Sequence, residues 1–299
     1  MRNWWLGSIY LSAAASIWGG MYVVSKMVLY AMPPWVLSEM CFVISLCVVG
    51  VWAFLAREWK IARRDVKEMA LLGLIGYTYS IGMQFVGTDL SGAASGALIT
   101  SAFPAFISVF TWSTLREKTN LRQGTALAIT IVGIFIVIGL PFENFTSFAG
   151  HLFLFSAAIT WAMYTVFHRG LALKYSSLAV TFWANLFGVI FTFPISWWEW
   201  HAKGVAWPTD RGIWLGILYL GIISVALAFY LWNKGFEYID TSVGSPVFIF
   251  QPVVGMLLGV WLLNEKLTWN FYPGAFLIIT GVVLLSMDKT KKETTKTAP

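Results

Sequence analysis

Trp18 and Trp161 are the two residues of this 299-residue chain whose type and position are best suited to recognising a small molecule. Each follows an alanine by three residues and precedes a basic residue, Lys26 or Arg169, by eight. Each lies deep in an uncharged run, roughly 15 to 20 Å from the start of its predicted helix. An indole offers a flat apolar face for stacking and one N–H group that can orient a polar molecule. The pair therefore predicts a binding site whose chemistry is recognition and not bond making.

Further residues at similar depth extend this predicted site. Tyr22 lies one helical turn after Trp18, so the two side chains share a face of a helix. The full predicted substrate-binding set is Trp18, Tyr22, Tyr79, Met83, Ser101, Trp161, Tyr164, Tyr230, Phe248 and Gln251. Because aromatic residues make up 17% of the chain, helix packing or lipid contact explains any single one of them well. The set as a whole favours a cavity.

The elements that carry these residues are predicted to be membrane-spanning helices. Hydrophobic residues make up 58% of the chain, charged residues make up 11%, and the mean hydropathy is +0.73. Soluble domains carry about 25% charged residues. Because about 20 apolar residues form a helix that crosses a bilayer, the sequence predicts an all-α integral membrane protein with ten transmembrane helices. They correspond to ten runs without Asp, Glu, Lys or Arg: residues 3–25, 40–56, 69–88, 90–115, 123–142, 144–168, 175–198, 212–233, 241–264 and 267–287.

Two segments of the chain share a pattern of residue types at identical spacing. Gly96, Pro104, Leu115 and Glu117-Lys118 match Gly244, Pro252, Leu263 and Glu265-Lys266. Together with the shared surroundings of Trp18 and Trp161, this pattern predicts two copies of a five-helix unit, residues 1–146 and 147–287. Since five is odd, the second copy enters the membrane from the opposite side. Such inverted repeats are typical of secondary transporters that work by alternating access.

Basic residues are distributed unevenly between the two sides of the membrane. If the amino terminus is cytoplasmic, sixteen of the twenty Lys and Arg residues fall on the cytoplasmic side, as the positive-inside rule requires. The sequence therefore predicts that both termini are cytoplasmic and that residues 288–299 form a disordered basic tail. The net charge of +6 follows from this topology and does not indicate nucleic-acid binding.

These features resemble the EamA-type drug/metabolite transporter superfamily. The resemblance rests on the ten-helix inverted repeat, the Trp-Gly or Trp-Ala elements that begin at Trp18 and Trp161, and the proline to Glu-Lys segments. It covers essentially residues 5–286, and within the superfamily the chain is similar to bacterial aromatic amino acid exporters. One departure is Glu39, where many members carry an Arg early in the second helix. The resemblance implies export of aromatic or other hydrophobic amino acids across the bacterial inner membrane, through a cavity between helices 1, 3, 4 and 6, 8, 9.

Two prolines recur at matched positions in the predicted fourth and ninth helices. Pro104 and Pro252 each remove a backbone donor inside a spanning helix and permit a kink. Gly96 and Gly244 allow neighbouring helices to approach closely. Pro and Gly are common in membrane helices for packing reasons alone. Their recurrence in both halves favours a hinge formed by these four residues.

No charged side chain lies near the centre of a predicted helix. Glu39, Asp89, Glu237 and Asp240 lie within about two turns of a helix end, where snorkelling explains them. Ion-coupled antiport usually relies on a deep carboxylate, and charged groups inside the bilayer are costly. The sequence therefore predicts an uncoupled facilitator for an uncharged or zwitterionic metabolite. A proton-coupled exporter of another metabolite or drug class is the alternative.

The sequence contains no recognisable catalytic pattern. His151, His168 and His201 are scattered without the spacing of a metal site, and no nucleophile elbow or phosphate-binding loop occurs. We therefore predict no catalytic residue, no cofactor and no metal. An intramembrane transferase and a channel are the further alternatives. The expected partners are a small-molecule substrate and the lipid bilayer, with no nucleic acid, and the expected assembly is a monomer or weak homodimer.

Overall fold

A computed structural model describes residues 4–115, 121–139, 145–239 and 245–296. These residues are helical and contain no strand, which confirms the all-α prediction for the described part of the chain. Ten helices are described in chain order: α1 (Trp4–Leu29), α2 (Pro34–Ala56), α3 (Val66–Leu72, Gly73–Ile81 and Gly82–Ser91), α4 (Ala93–Thr100 and Phe103–Leu115), α5 (Leu121–Ile138), α6 (Phe145–Ala172), α7 (Ser177–Lys203), α8 (Arg211–Leu218, Tyr219–Leu227 and Ala228–Tyr238), α9 (Ser245–Ile249 and Phe250–Leu263) and α10 (Phe271–Lys296).

Several of these helices are long and apolar enough to cross a bilayer. Among the described residues six helices meet this requirement at full length, and three shorter apolar helices accompany them in α4, α9 and α10. The protein is therefore a multi-pass membrane protein. Helix formation follows from the lipid environment, because a backbone in hydrocarbon must satisfy its own hydrogen bonds.

Helix α10 extends into the predicted tail, whose disorder stays a prediction. Residues 288–299 are predicted to be disordered, yet α10 continues through Lys296. The physical reason is that an existing helix extends at low cost, since each added residue gains a hydrogen bond without a new nucleation step. Lysine is also a good helix former.

Contacts between helix ends define two ends of the bundle. At one end the residues after α9 contact the first turn of α4, and the last turn of α7 contacts the first turn of α2. We call this the outer end, because the charge bias predicts that it faces the exterior. At the opposite, cytoplasmic end, the last turn of α8 contacts the first turn of α7.

The helices pack in a pattern that is preserved when the two halves are exchanged. Helix α1 packs against α8 and α9, and α6 packs against α3 and α4. Likewise, α2 packs against α8, and α7 packs against α3. Three further pairs join a helix to its counterpart: α2 with α7, α4 with α9 and α5 with α10. The inverted orientation of the two halves stays a prediction at this point.

Helices α3 and α8 each contain a nine-residue π-helical segment, Gly73–Ile81 and Tyr219–Leu227. In a π-helix the backbone bonds run from residue i to i+5, so the turn is wider than in an α-helix. Side chains after such a segment point in directions that an α-helical pattern does not predict. This shift decides which residues reach the interior, as described below.

Helices α4 and α9 are interrupted close to their prolines. Residues 101–102 form a turn between the two parts of α4, and Pro104 lies in the first turn of the second part. Pro252 lies in the first turn of the α-helical part of α9, after the 3-10 segment Ser245–Ile249. Proline is tolerated in a first turn because its missing N–H would have no partner there.

The predicted hinge also includes Gly96 and Gly244. Gly96 lies within a regular helical segment, Ala93–Thr100, so it is not the point of interruption. A Cβ atom at Gly96 would come within 2.6 Å of the Tyr22 ring, so the glycine permits close contact between α4 and α1. Gly244 lies outside the described residues.

Candidate functional site

A small cavity lies where α1, α3, α4, α6 and α9 meet. Its volume is about 20 Å³, and a single water needs about 10 to 15 Å³. The cavity in this conformation therefore holds about one water. Five of the ten predicted substrate-binding residues lie on its walls, which are formed by Trp18, Met21, Tyr22, Ser80, Ile81, Gln84, Thr100, Ala157, Trp161, Phe248 and Gln251.

Buried aromatic rings form one wall of the cavity. The Trp18 and Trp161 rings meet edge to face with centroids 5.2 Å apart. Trp18 also contacts Phe229 at 5.5 Å, Trp232 at 5.3 Å and Phe248 at 5.8 Å. Aromatic pairs at such distances contribute about 0.5–1.5 kcal/mol each beyond the area they bury. The tryptophan pair therefore belongs to a rigid aromatic cluster that joins both halves of the chain.

The N–H group of Trp18 is already engaged. Its Nε1 atom donates to the backbone oxygen of Ser224 at 3.0 Å. Ser224 belongs to the π-helical segment Tyr219–Leu227. The sequence-based expectation that this N–H orients a polar substrate is therefore not met in this conformation, in which the Trp18 ring is fixed by helix α8.

Towards the outer end, the cavity is bordered by three hydrogen-bonded residues that we call the outer cluster: Tyr22, Thr100 and Gln251. The Thr100 hydroxyl donates to the Gly96 backbone oxygen at 2.7 Å, so its oxygen acts as an acceptor for the other two. Gln251 Nε2 donates to Thr100 Oγ1 at 2.8 Å and to the Ala97 oxygen at 3.2 Å. Tyr22 hydrogen-bonds Thr100 as well. The outer cluster links α1, α4 and α9 side by side.

Towards the cytoplasmic end, a second set of buried polar residues continues from Trp161. We call it the inner cluster: Tyr77, Tyr164, His168 and Asn233. The Tyr164 ring stacks on Trp161 with centroids 4.8 Å apart, and His168 stacks on Tyr164 at 5.9 Å. The four residues are at most 2% exposed, and Tyr77 and Tyr164 have ring centroids 6.4 Å apart.

The inner cluster has polar atoms without hydrogen-bond partners among the described residues. They are the hydroxyls of Tyr77 and Tyr164, His168 Nε2 and Asn233 Oδ1, which make no hydrogen bond of good geometry. The Asn233 side chain nevertheless lies close enough to the Tyr164 hydroxyl to interact with it. The amide of Asn233 uses its Nδ2 to donate to Thr181 Oγ1 at 2.8 Å. A buried polar atom without a partner costs about 1–3 kcal/mol. The inner cluster can therefore gain more than the outer cluster from a polar ligand.

Five predicted site residues do not line the cavity. Tyr164 lies behind Trp161 in the inner cluster, and Ser101 is buried with its hydroxyl donating to the Leu98 oxygen at 2.7 Å. Tyr79 is 39% exposed on the outside of α3. The other two residues, Met83 and Tyr230, are half-buried and also point away.

Residues adjacent to them in the sequence reach the interior instead. Ser80 and Gln84 line the cavity next to Tyr79 and Met83, and Phe229, next to Tyr230, contacts both tryptophans. The π-helical segments of α3 and α8 explain this shift, because an α-helical reading places the side chains within and after them on the wrong face. The spacing of Ser80 and Gln84, four residues apart in an apolar run, was the sequence signal for a polar stripe.

Comparison with known proteins gives the family. The sequence profile described as the EamA-like transporter family matches the chain twice, over residues 5–139 and 148–287. The chain belongs to the EamA-like transporter family. It is 24% identical over 292 residues to the uncharacterized transporter YetK of Bacillus subtilis, covering 95% of this chain and 88% of YetK. It is 26% identical over 276 residues to the uncharacterized transporter YoaV of the same organism, covering 90% and 92%.

A solved crystal structure has the same fold. It matches with a TM-score of 0.68 and 21% identity, over 94% of this chain and 97% of the other. This likeness concerns the fold alone. The family and these relatives support a membrane transporter within the drug/metabolite transporter superfamily, which is consistent with a protein that is not an enzyme.

At the outer end of this EamA-like transporter, a carboxylate joins the segment after α9 to the start of α4. The Glu265 oxygens accept from the backbone N–H groups of Ala93 and Ala94 at 2.7 and 2.8 Å. These two N–H groups begin helix α4, where the helix dipole favours a negative charge. Gly92 precedes them with φ +115°, a conformation that favours glycine. Residues after α9 thus hold the start of α4.

A second carboxylate acts in the same way on α2. Glu199 Oε2 accepts from the N–H groups of Trp35 and Val36 at 2.8 and 3.1 Å, and Lys203 pairs with Glu199 at 2.9 Å. At the outer end of the bundle, glutamate carboxylates therefore bind the first turns of two helices, α2 and α4. These contacts join residues that are more than 160 positions apart in the sequence, so the spacing of residue types did not predict them.

The cytoplasmic end has its own polar contacts. Glu237 accepts from the Ser177 hydroxyl at 2.6 Å and from Lys234 at 2.6 Å. Asp65 accepts from the Tyr175 hydroxyl at 2.5 Å and from Lys174 at 3.1 Å. The Asp65 contacts join the connections that precede α3 and α7, and the Glu237 contact with Ser177 joins the last turn of α8 to the start of α7. Among the described residues, no group of three His, Cys, Asp or Glu side chains is arranged to bind a metal.

Proposed function

We propose that this protein is a secondary transporter that exports small metabolites, namely aromatic or hydrophobic amino acids and related compounds, across the bacterial inner membrane. The observation that carries the proposal is the cavity at Trp18 and Trp161, with aromatic rings on one wall and neutral polar groups on both sides. No Asp, Glu, Lys or Arg occurs among its lining residues. Aromatic walls favour a ring or an apolar side chain, and neutral hydrogen-bonding groups favour an uncharged or zwitterionic head.

The proposed mechanism is alternating access by two inverted repeats. Two observations support it. The family profile matches the two halves separately, and the packing pattern is preserved when α1–α5 are exchanged with α6–α10. Two equivalent halves can rock about a central site and expose it to either side in turn.

The cavity must widen before it can hold such a substrate. A benzene ring fits a cavity of about 150 Å³, whereas this one has about 20 Å³. The interruptions of α4 and α9 near Pro104 and Pro252 are the proposed hinges for this widening. Trp18 and Trp161 would stack on the substrate, the outer cluster would separate as the cavity widens, and the unpartnered polar groups of the inner cluster would bind the polar part of the substrate.

Transport is proposed to be uncoupled. The lining residues include no carboxylate that could bind a proton or a sodium ion. Proton coupling is the second candidate, and one observation favours it: His168 is 2% exposed in the inner cluster and its Nε2 has no partner among the described residues. Histidine is the side chain best suited to proton exchange near neutral pH.

The topology and assembly are part of the same proposal. Both termini are proposed to lie in the cytoplasm, because sixteen of the twenty basic residues then lie on that side. The protein is proposed to act as a monomer or weak homodimer, since the cavity is formed within one chain. Transferase and channel activity have no observation in their favour among the described residues.

Uptake into liposomes tests the proposal. Purified protein would be reconstituted and given labelled phenylalanine, tryptophan or threonine, with and without an imposed proton gradient. We expect saturable uptake of the two aromatic amino acids without a gradient. Uptake that requires the gradient would contradict the uncoupled mechanism and favour the His168 alternative. Absence of uptake of all three would contradict the proposed substrate class.

A further inference from the structure

A groove much larger than the central cavity lies at the outer end of the bundle. Its volume is about 420 Å³, and it lies between α2, α7 and the connection at residues 204–210. It does not share a lining residue with the central cavity. The groove is therefore a separate feature and plays no part in the proposed transport path.

Aromatic rings form much of the wall of this groove. Phe193, Trp197 and Trp207 are 53%, 59% and 61% exposed, although they lie next to other rings. Trp197 contacts Phe193 with centroids 5.8 Å apart, and Trp207 contacts Trp200 at 4.8 Å. Each of these rings consequently keeps uncovered surface that a ligand could contact.

The groove also contains a half-buried glutamate, one of whose carboxyl oxygens lacks a partner among the described residues. Glu39 lies on α2, five residues after Pro34, and its Oε2 atom is buried without a hydrogen-bond partner among the described residues. No Lys or Arg lines the groove. The basic residue at this end of α7, Lys203, is paired with Glu199 at 2.9 Å. A buried carboxyl oxygen of this kind is costly unless a donor or a cation reaches it.

An ammonium group is the ligand that suits both the exposed aromatic rings and the unpartnered Glu39 oxygen. Its positive charge is attracted to the faces of tryptophan rings within about 6 Å, and its N–H groups can donate to a carboxylate. His201 and Ser196 add two further polar groups to the same walls. His201 Nδ1 already lies 2.8 Å from the Trp197 backbone oxygen, which holds its ring against that tryptophan.

We propose that this groove binds the ammonium headgroup of a phosphatidylethanolamine-type lipid in the outer leaflet, with Glu39 accepting its hydrogen bonds. Two observations favour a lipid as the source of the ammonium group. The groove lies at the ends of apolar helices, where tryptophans mark the interface between lipid and water. Its exposed rings also extend along α7 from Trp197 to Phe193, which lies one turn nearer the middle of the helix and is 53% exposed, so acyl chains have an apolar surface to follow. The assignment to the outer leaflet depends on the proposed orientation of the protein in the membrane, whereas recognition of the headgroup does not.

Native mass spectrometry of the purified full-length protein tests this proposal. The protein would be titrated with phosphatidylethanolamine and phosphatidylglycerol that carry identical acyl chains. We expect preferential binding of phosphatidylethanolamine, and a loss of about tenfold or more in that affinity in Glu39→Gln, which corresponds to about 1.4 kcal/mol. Glu58→Gln is the matched control, because Glu58 is an exposed carboxyl group just beyond the cytoplasmic end of α2. It should bind both lipids as the unmodified protein does.

A second variant keeps the test valid if Glu39→Gln does not fold. Trp207→Ala removes an exposed ring from the connection after α7 and should weaken phosphatidylethanolamine binding without changing the thermal melting temperature. Equal binding of the two lipids by the unmodified protein would overturn the proposal. So would unchanged phosphatidylethanolamine binding in both variants. Displacement of the lipid by free ethanolamine at equimolar concentration would show that a soluble cation is the true occupant, and this too would overturn it.

Discussion

The outer and inner clusters lie on opposite sides of the same tryptophan pair, yet their hydrogen bonding differs. In the outer cluster, Thr100 connects Tyr22 and Gln251, so the polar groups satisfy one another. In the inner cluster, the Tyr164 hydroxyl and His168 Nε2 have no partner among the described residues. The hydrogen bonds of the outer cluster stabilise the contact between α1, α4 and α9. The inner cluster instead has polar atoms that could still form a hydrogen bond to a ligand. We therefore propose that the outer cluster holds the cavity closed in this conformation and that the inner cluster binds the polar part of a substrate once the cavity widens.

The largest expected effect concerns the wall that the two clusters share. Trp18→Ala removes a ring that contacts Trp161, Phe229, Trp232 and Phe248. We expect a loss of about 3–5 kcal/mol in stability and loss of transport in the liposome assay. Trp198→Ala is the control, because Trp198 is 68% exposed. Equal losses in the two variants would contradict a special role for the tryptophan pair.

The clusters themselves should respond oppositely to loss of a hydroxyl. Thr100→Val leaves Tyr22 and Gln251 without their shared acceptor, and we expect it to lower stability by about 1–3 kcal/mol. Tyr164→Phe removes a hydroxyl that has no partner among the described residues, and we expect stability to be unchanged or slightly higher. Thermal melting in detergent measures both. Equal destabilisation would remove the distinction between the clusters.

Transport kinetics sharpen the same comparison. Tyr164 lies buried behind Trp161 in this conformation, and its hydroxyl makes no well-formed hydrogen bond. We expect a substrate to reach this hydroxyl once the cavity widens, so Tyr164→Phe should raise the KM for an aromatic amino acid by about three- to tenfold, which corresponds to the loss of a single hydrogen bond. The maximal rate should change little. A lower maximal rate with unchanged KM would indicate that the hydroxyl acts in the conformational step and not in binding.

A smaller effect is expected at the proposed hinge. Pro104 lies just after the interruption of α4 at residues 101–102. A continuous α4 would need an N–H at position 104 to bond the Thr100 oxygen, and Pro104→Ala supplies it. This change should therefore favour a straighter α4 and alter the conformational step more than binding. We expect a change of a few-fold in turnover at constant KM. A pure loss of affinity with normal turnover would rule out the hinge.

The smallest effect is expected at the outer end itself. Glu265→Gln keeps one acceptor oxygen for Ala93 or Ala94 but loses the charge that favours the helix start. Such an interaction contributes about 0.3–1 kcal/mol. We expect a slightly lower melting temperature and faster thiol labelling of a cysteine placed at the outer side of the cavity. Unchanged labelling would show that Glu265 does not hold the outer end closed.

Much of the fold could be predicted from the sequence because lipid imposes simple rules. Uncharged runs predicted ten helices, and ten are described, since a backbone in hydrocarbon has few other ways to satisfy its polar groups. The closeness of Trp18 and Trp161 was also predictable, because matched positions in two repeats suggested that they face each other.

Side-chain directions and long-range partners could not be predicted in the same way. The π-helical segments in α3 and α8 shift the phase, so Ser80 reaches the cavity and Tyr79 does not. The contact between Glu265 and the start of α4 depends on the packing of two helices that are distant in sequence. The unpartnered atoms of the inner cluster depend on the absence of neighbours, which a sequence pattern does not record.

The neighbouring residues Ser80 and Tyr79 permit the most direct test of the proposed substrate site. In a background with Cys41 and Cys47 replaced by serine, single cysteines would be introduced as Ser80→Cys and Tyr79→Cys and labelled with a small thiol reagent. Ser80 lines the cavity, whereas Tyr79 is 39% exposed on the outside of α3. We expect phenylalanine or tryptophan to slow labelling of Ser80→Cys and to leave Tyr79→Cys unaffected. Equal protection at both positions, or protection at neither, would contradict substrate binding in this cavity.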